Sequence, residues 1–429
     1  MRSLSIALVL ATLITPLRAQ AFSWSGQLRS STDSYSYHLR PPTKDVSPYL
    51  TLEAQTKNKW RKSLRFQSKL SVLSNPLSQG SPEQFYVDLP EGFLEYKSSE
   101  LKLRAGMDVV NWGMVDVSSP SDVVNSTAIF HPLRSPHRGA PMLEAIWDQE
   151  TFGLHAIYIP IQQRPLLPSV DSRWLPRQLL LNLEVENNRI ALPETMEYRF
   201  DAPENLDRAL NNNFGFKFSS HLDRLDLQLI HFEGVFSTAQ VRGTKIQLEA
   251  ATNPLRLVSP LHLSAVAFRV RETGVGLAWA TDEFIVRAES VYQHTISEDP
   301  ILQPWRWSNV LAFESKLDVG TSTINWLAQF YYYVNPRAAD NFISSSYRLF
   351  DRTILFGARW NYSDDLLIQA SALYETQQSG LFAMLGFEQK LTEVMKWGMS
   401  WRDFSAGREG LLKTFERNDH ANLDLIYYF

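Results

Sequence analysis

Apolar side chains fall on every second position through most of this chain, a spacing that suits β-strands with one apolar and one polar face. In "TLEAQTK" Leu52, Ala54 and Thr56 alternate with Glu53, Gln55 and Lys57. In "LRFQSKLSV" Leu64, Phe66, Leu70 and Val72 alternate with Arg65, Gln67, Lys69 and Ser71. "LKLRAGMD" sets Leu101, Leu103, Ala105 and Met107 against Lys102, Arg104 and Asp108. The pattern returns in "KIQLEA", "FIVRAESVY", "INWLAQFYYY", "ILFGARWNY" and "LLIQASALYE".

The spacers alternate as well, in length. Short ones such as "SSE" after Lys97, "DQET" after Trp147, "TDE" after Ala280 and "SDD" after Tyr362 take turns with long ones at 34–47, 74–84, 109–141, 160–212, 295–307, 335–351 and 405–420. Tight turns at one end and long loops at the other are the signature of an all-β fold, the transmembrane antiparallel up-and-down β-barrel with long extracellular loops. A soluble sandwich or propeller would alternate too, but need not sort its loops by length. The segments predict about 18–20 strands, twenty by direct count, with an even number because both ends belong at the short-turn side. Residues 252–273 read either as one long strand or as two shorter ones. Trp360, Tyr362 and Tyr374 lie near strand ends, where an aromatic girdle meets lipid headgroups. Side chains cannot fill a barrel this wide, so water or an inserted loop must occupy it.

The first residues, "MRSLSIALVLATLITPLRAQA", combine Arg2, an apolar run and Ala19-Gln20-Ala21, which predicts a cleaved secretory signal over 1–21. Residues 22–429 would then form a single barrel, with long loops at 109–141 and 160–212. Lys and Arg number 42 against 46 Asp and Glu, so the balance argues against a nucleic-acid partner. With no Cys, disulfides and thiol chemistry are excluded.

The chain ends in "NLDLIYYF", with Leu423, Leu425, Tyr427 and Phe429 in phase. This reads as a closing strand that pairs with the first, around "FSWSGQLRS", so that no edge faces hydrocarbon. The final Tyr427 and Phe429 resemble the terminal assembly signal of bacterial outer-membrane proteins, which implies insertion by the barrel assembly machinery.

Inward positions carry both charges: Glu53, Lys57, Arg65, Lys69, Glu95, Lys97, Lys102, Arg104, Asp108, Asp226, Lys245, Glu249, Arg287, Glu289, Arg359 and Glu375. The favoured reading is a solvated wall bridged between neighbouring strands, and the mixture gives no sign of a strongly ion-selective pore. "LRAGMDVVNWGMVDVSSPSDVVN" is the most distinctive stretch. Gly106 and Gly113 permit close approach or positive φ, and Pro120 and the Asp and Asn residues suit an ordered loop that folds into the lumen. Turn bonding is the favoured role of Asp116 and Asp122; a carboxylate pair for a cation or for catalysis is the alternative.

Arg104, Gly106, Trp112, Gly113, Asp116, Pro120, Asp122 and Asn125 form R-x-G-x5-W-G followed by D-x3-P-x-D-x2-N. This resembles a large, poorly characterised family of Gram-negative outer-membrane proteins with porin-like barrels. The likeness runs on through "LRSPHRGAPMLEAIWDQETFGLHAIYIPIQQRPLLP", while "SSP" replaces the more usual Asn-Pro before the second Asp. It implies a barrel and an outer-membrane address, without a substrate or catalytic residues.

Arg134, His137 and Arg138 in "HPLRSPHRGAP" are either a solvated loop held by prolines or a basic cluster for anionic solutes or lipopolysaccharide phosphates. His131 and His137 have no third ligand nearby in sequence, so no metal or cofactor is expected. In the 160–212 insertion, Asp201 is expected to cap a short helix with Pro203 in its first turn, and the apolar "SRWLPRQLLLNLEVE" to pack in the mouth as a partial plug. His231 is in phase with Leu225, Leu227 and Leu229, which suits packing or a girdle.

The leading functional expectation is a porin-like channel. Its pore or constriction residues would be Arg104, Trp112, Asp116, Asp122, Arg134, His137 and Arg138. The alternative is a loop-occluded surface barrel that binds an envelope polysaccharide, lipid or protein. A third reading, a hydrolase, lacks any G-x-S-x-G motif. Expected partners are outer-membrane lipid and lipopolysaccharide, with room for a homo-oligomer.

Overall fold

The computed structural model describes residues 23–39, 43–59, 63–78, 82–131, 135–175, 180–185, 188–191, 197–238, 240–245, 247–249, 255–299, 302–334, 352–376, 379–405 and 412–429. The signal at 1–21 and Arg134 lie outside the described residues.

Eighteen strands close into one antiparallel sheet. They are β1 (Ser23–Tyr35), β2 (Val46–Lys59), β3 (Leu64–Ser74), β4 (Tyr86–Lys97), β5 (Leu101–Asp108) and β6 (Ala140–Asp148). Then come β7 (Phe152–Ile161), β8 (Asn211–Leu222), β9 (Leu225–Val235), β10 (Arg269–Ala280), β11 (Phe284–Thr295) and β12 (Trp305–Val319). The last six are β13 (Ser322–Val334), β14 (Thr353–Asn361), β15 (Leu366–Glu375), β16 (Leu381–Thr392), β17 (Met395–Ser405) and β18 (His420–Tyr428). Each pairs with its successor, and β18 returns to β1 with Leu28 opposite Tyr427.

The count of twenty is too high, and residues 236–268 show why. "KIQLEA" and 252–273 alternate as strands do, yet their described residues before Arg269 lie outside the wall. Gln240–Lys245 and Leu261–Ala267 join Tyr198–Phe200 and Glu204–Asn205 in one four-stranded sheet; Leu248–Glu249 and Leu255–Leu257 join Leu180–Val185 and Asn188–Ala191 in another. Lys245 and Glu249 therefore do not face the lumen from barrel strands. Alternation reports a two-faced strand, whichever sheet the strand enters. Asp201 does not cap a helix either: Thr244 Oγ1 donates to it at 2.6 Å and His262 Nδ1 lies 3.1 Å away.

The outer wall exposes a wide set of large apolar residues: Leu143, Phe216, Leu229, Val275, Leu311, Phe356, Leu385 and, on β18, Leu423, Leu425 and Tyr427. An encircling apolar band on this scale is stable only against lipid. Near the short-turn end Trp279, Phe284, Phe313 and Trp326 follow one another with ring centroids 5.3–5.5 Å apart, and Trp360 sits edge-on to Tyr362. No described helix is long and apolar enough to cross a membrane.

The closing seam is tight. Gly26 N donates to Phe429 O at 2.9 Å and Phe429 N to Gly26 O at 3.1 Å. A Cβ on Gly26 would lie 2.6 Å from the Phe429 ring, so glycine is what lets the last residue lie flat across β1.

Candidate functional site

The 109–139 loop leaves β5 and turns into the lumen. Gly106 makes the departure possible, because its φ of +140° brings the backbone so close to β4 that a Cβ would stand 2.2 Å from Gly92 O. Trp112 is buried with Val110, Val123 and Val124 against Met142, Ile157, Ile159, Ile230, Phe232 and Val291, which point inward from β6, β7, β9 and β11. Its indole donates to His155 Nδ1 at 3.2 Å, which leaves His155 Nε2 protonated and donating to Glu144 Oε2 at 3.1 Å. Gln228 Nε2 donates to the Trp112 carbonyl at 2.8 Å.

Beyond Trp112 the loop is held by a carboxylate. Glu289 on β11 accepts from Met114 N, from Val115 N at 2.9 Å, from Ser119 Oγ at 2.5 Å and from Ser121 N at 3.1 Å. Gly113 packs against Ser119, the close approach expected of it. Asn125, fully buried, ties both ends of the loop: its Oδ1 accepts from Val110 N, and its Nδ2 donates to the carbonyls of Asp108 and Arg138.

Asp122 and His137 form a pair 2.8 Å apart. His137 Nδ1 lies 3.3 Å from Asn125 O, so both ring nitrogens face acceptors. Burial alone would lower the His137 pKa, but the hydrogen bond and charge of Asp122 outweigh it and raise the pKa. Asp116 does not pair with Asp122; its carbonyl accepts from Gln329 Nε2. Arg138 donates to the Tyr86 hydroxyl at 3.1 Å and to Arg164 O. Arg104 belongs to the wall, where it binds Glu95 at 2.8 Å and Asp108 at 3.1 Å, while Arg65 also reaches Glu95.

A strap from the next loop crosses the mouth. Arg173 donates to Tyr37 O and Arg417 O, both at 2.8 Å, and binds Asp45 at 3.1 Å, joining the β7–β8 loop to both loops that flank β1 and β18. Trp174 packs among Tyr35, Phe382, Phe404, Leu412 and Phe415. The partial plug is therefore formed by residues up to Trp174, while the later part of the insertion builds the loop sheets. Beside it Asp33, His131 and His420 are buried with their ligand atoms within 4.8 Å of one another, a grouping invisible in the linear spacing. Arg402 Nη1 donates to His420 Nε2 at 3.1 Å and lies 3.7 Å from Asp33, so a guanidinium takes the lone pair and the charge that a metal would need.

What the loops leave open is a cavity of about 1410 Å³. Phe236, Ser237 and Gln303 line it at the long-loop end, and Thr281, Asp282 and Glu283 at the short-turn end. Asp116, Ser119, Asp122 and His137 line its inner side and Arg306, Glu314, Lys316 and Arg359 its wall. Of the residues singled out from sequence, Asp116, Asp122 and His137 meet at this cavity, whereas Trp112 and Arg138 are taken up in anchoring the loop and Arg104 in wall ion pairs. The roles of Glu289 and Arg173 escape sequence reasoning. The inward apolar residues Met142, Ile157, Ile159, Ile230 and Phe232 were the legible trace, since a water-filled lumen would not tolerate them.

No family model and no curated protein sequence matches the chain. Among solved structures it is similar to OmpF of Salmonella typhi in complex with daunomycin (10% identity, 95% of this chain and 97% of that one, TM-score 0.46). It is likewise similar to a porin mutant of Rhodopseudomonas blastica (9%, 95% and 100%, 0.42) and to a loop-deleted OmpT, an outer-membrane protein of Vibrio cholerae (9%, 95% and 99%, 0.43).

Proposed function

We propose that this protein is a porin-like channel of the Gram-negative outer membrane, exported with a cleaved signal, that passes small polar or amphipathic solutes passively. The observation that carries the reading is the 1410 Å³ cavity, whose lining includes residues from both ends of the barrel. Asp116, Ser119, Asp122 and His137 line its inner side, on a loop that Glu289 and Trp112 hold to one wall. Asp116, Asp122, Asp282, Glu283 and Glu314 line it together with Arg306, Lys316, Arg359 and Arg402, so weak ion selectivity is expected. In planar bilayers the purified protein should give ohmic steps with little preference between K⁺ and Cl⁻. Silence from both wild type and Glu289→Ala, in which the loop is released, would reject a channel.

The strap of Arg173 and the two loop sheets favour a second reading, a barrel that binds an envelope glycan at its mouth. Glycan pull-down together with silent bilayers would support it. A hydrolase is less well supported, because Ser119 and Ser135 donate to Glu289 and to His131 O, not to His137.

A further inference from the structure

The outer wall carries a charged row at its long-loop end. Strand register sets Tyr158, Phe214, Glu233, Arg271, His294 and Trp305 side by side in one row from β7 to β12. Glu233, Arg271 and His294 are in phase with the exposed Leu229, Val275 and Tyr292 of their own strands, so all three point outward. Arg271 donates to Glu233 at 2.8 and 3.1 Å. Arg269 reaches the same carboxylate at 3.3 Å and also donates to the carbonyls of Asn211 and Asn212. Two guanidinium groups share one carboxylate, which leaves one positive charge in excess, and the Arg271 side chain is 52% exposed. Arg269 opens β10, so this charge stands at the long-loop end, at headgroup level, with Tyr292 and Trp305 stacked beside it.

The same row runs the other way into a hollow. Leu143 lies opposite Tyr158, Ala105 opposite Leu143, and Ala145 opposite Ala156 one step along. These three alanines floor an apolar groove of about 690 Å³ between the larger side chains of Leu103, Tyr158 and Phe216. Tyr158 joins groove and charge: its hydroxyl donates at 2.7 Å to Asn212, whose carbonyl accepts from Arg269. At ~4.8 Å per strand, Tyr158 and Arg271 are about 15 Å apart, within reach of one amphiphile.

We propose that this is a binding site for an acylated lipid of net negative charge, with a headgroup phosphate that no cation offsets, in the leaflet at the long-loop end. Its phosphate is held by Arg271 and Arg269, and one acyl chain lies over Ala105, Ala145 and Ala156. Guanidinium groups match phosphate oxygens in geometry and charge, and small residues under large ones make room for a chain. A second copy of this chain fits less well, since its contact would have to desolvate the Arg271 and Glu233 charges. The inference stands apart from the channel reading, because the site lies on the opposite side of the wall.

Native mass spectrometry of the full chain in neutral detergent tests it, with phosphatidylglycerol, phosphatidylcholine and inorganic phosphate as probes. Wild type should retain one phosphatidylglycerol in preference to phosphatidylcholine, and millimolar phosphate should not displace it. Arg271→Gln should remove the headgroup preference, and Ala156→Phe should weaken both lipids roughly tenfold. Leu385→Phe, on the far wall, should change neither. Equal retention of both lipids by wild type, unaltered binding by either site variant, displacement by phosphate alone, or disulfide-linked dimers of Ala156→Cys would each overturn the proposal. Heat-shifted gel mobility reports folding of every variant independently of lipid.

Discussion

Glu289 shows how one side chain can govern a loop. Four donors from residues 114–121 converge on its two oxygens. Glu289→Ala leaves three backbone N–H donors and one hydroxyl without this acceptor, at a cost of roughly 3–5 kcal/mol to loop docking. The expected result is faster proteolysis within 109–139 and larger conductance steps. Glycine makes a sharper test, because two positions of positive φ differ in their surroundings. Gly106→Ala places a Cβ 2.2 Å from Gly92 O, whereas at Gly320 nothing lies within 4 Å. Gly320→Ala should cost about 1 kcal/mol from backbone strain alone. Gly106→Ala should cost several times more, since strand β4 must move; urea unfolding in lipid vesicles would rank them.

At the scale of the loops, two titrating groups act in the same direction. Glu83, in the β3–β4 loop, is buried under the strap, where it accepts from Ser169 N at 3.2 Å. Burial pushes its pKa up from 4.5 to about 7. The docked loop thus keeps a proton that the unfolded chain releases, and docking weakens as pH rises from 4.5 to about 7. His137 has a raised pKa through Asp122, so its contribution is complete below 6.5 and disappears as pH climbs through the raised value. Protease cleavage in both loops should therefore increase between pH 5 and pH 8. Glu83→Gln should flatten the acidic part of that profile and His137→Gln the upper part. An unchanged profile in both variants would mean that neither group senses the docked state.

For the whole molecule, lipid on one side and a solvated lumen on the other should make neighbouring residues respond in opposite ways. Leu425 is exposed on the outer face, and Asp424, next to it, binds Arg29 across the seam at 2.6 Å. Leu425→Arg puts a charge in hydrocarbon and should cost about 2–4 kcal/mol. Asp424→Asn breaks a partly exposed ion pair and should cost less than about 1 kcal/mol. Equal penalties in vesicle unfolding would mean that the two faces do not see different solvents. Closure itself rests on Gly26 and Phe429, and Gly26→Val should lower the temperature at which the heat-shifted gel band appears.

Strand direction, the outward face, the inward charges of the wall strands (though not Lys245 and Glu249) and the pairing of last strand with first were legible in the chain, because alternation and loop length are local properties. They hold wherever a strand has two unlike solvents. The number of wall strands was not, since 236–268 alternates like the wall but pairs with another loop. Nor were the four donors on Glu289, the clamp of Arg173 on loops beside β1 and β18, or the outward meeting of Glu233 with Arg271. Each joins segments whose separation along the chain carries no periodic mark, and only closure of the sheet brings them within hydrogen-bonding distance.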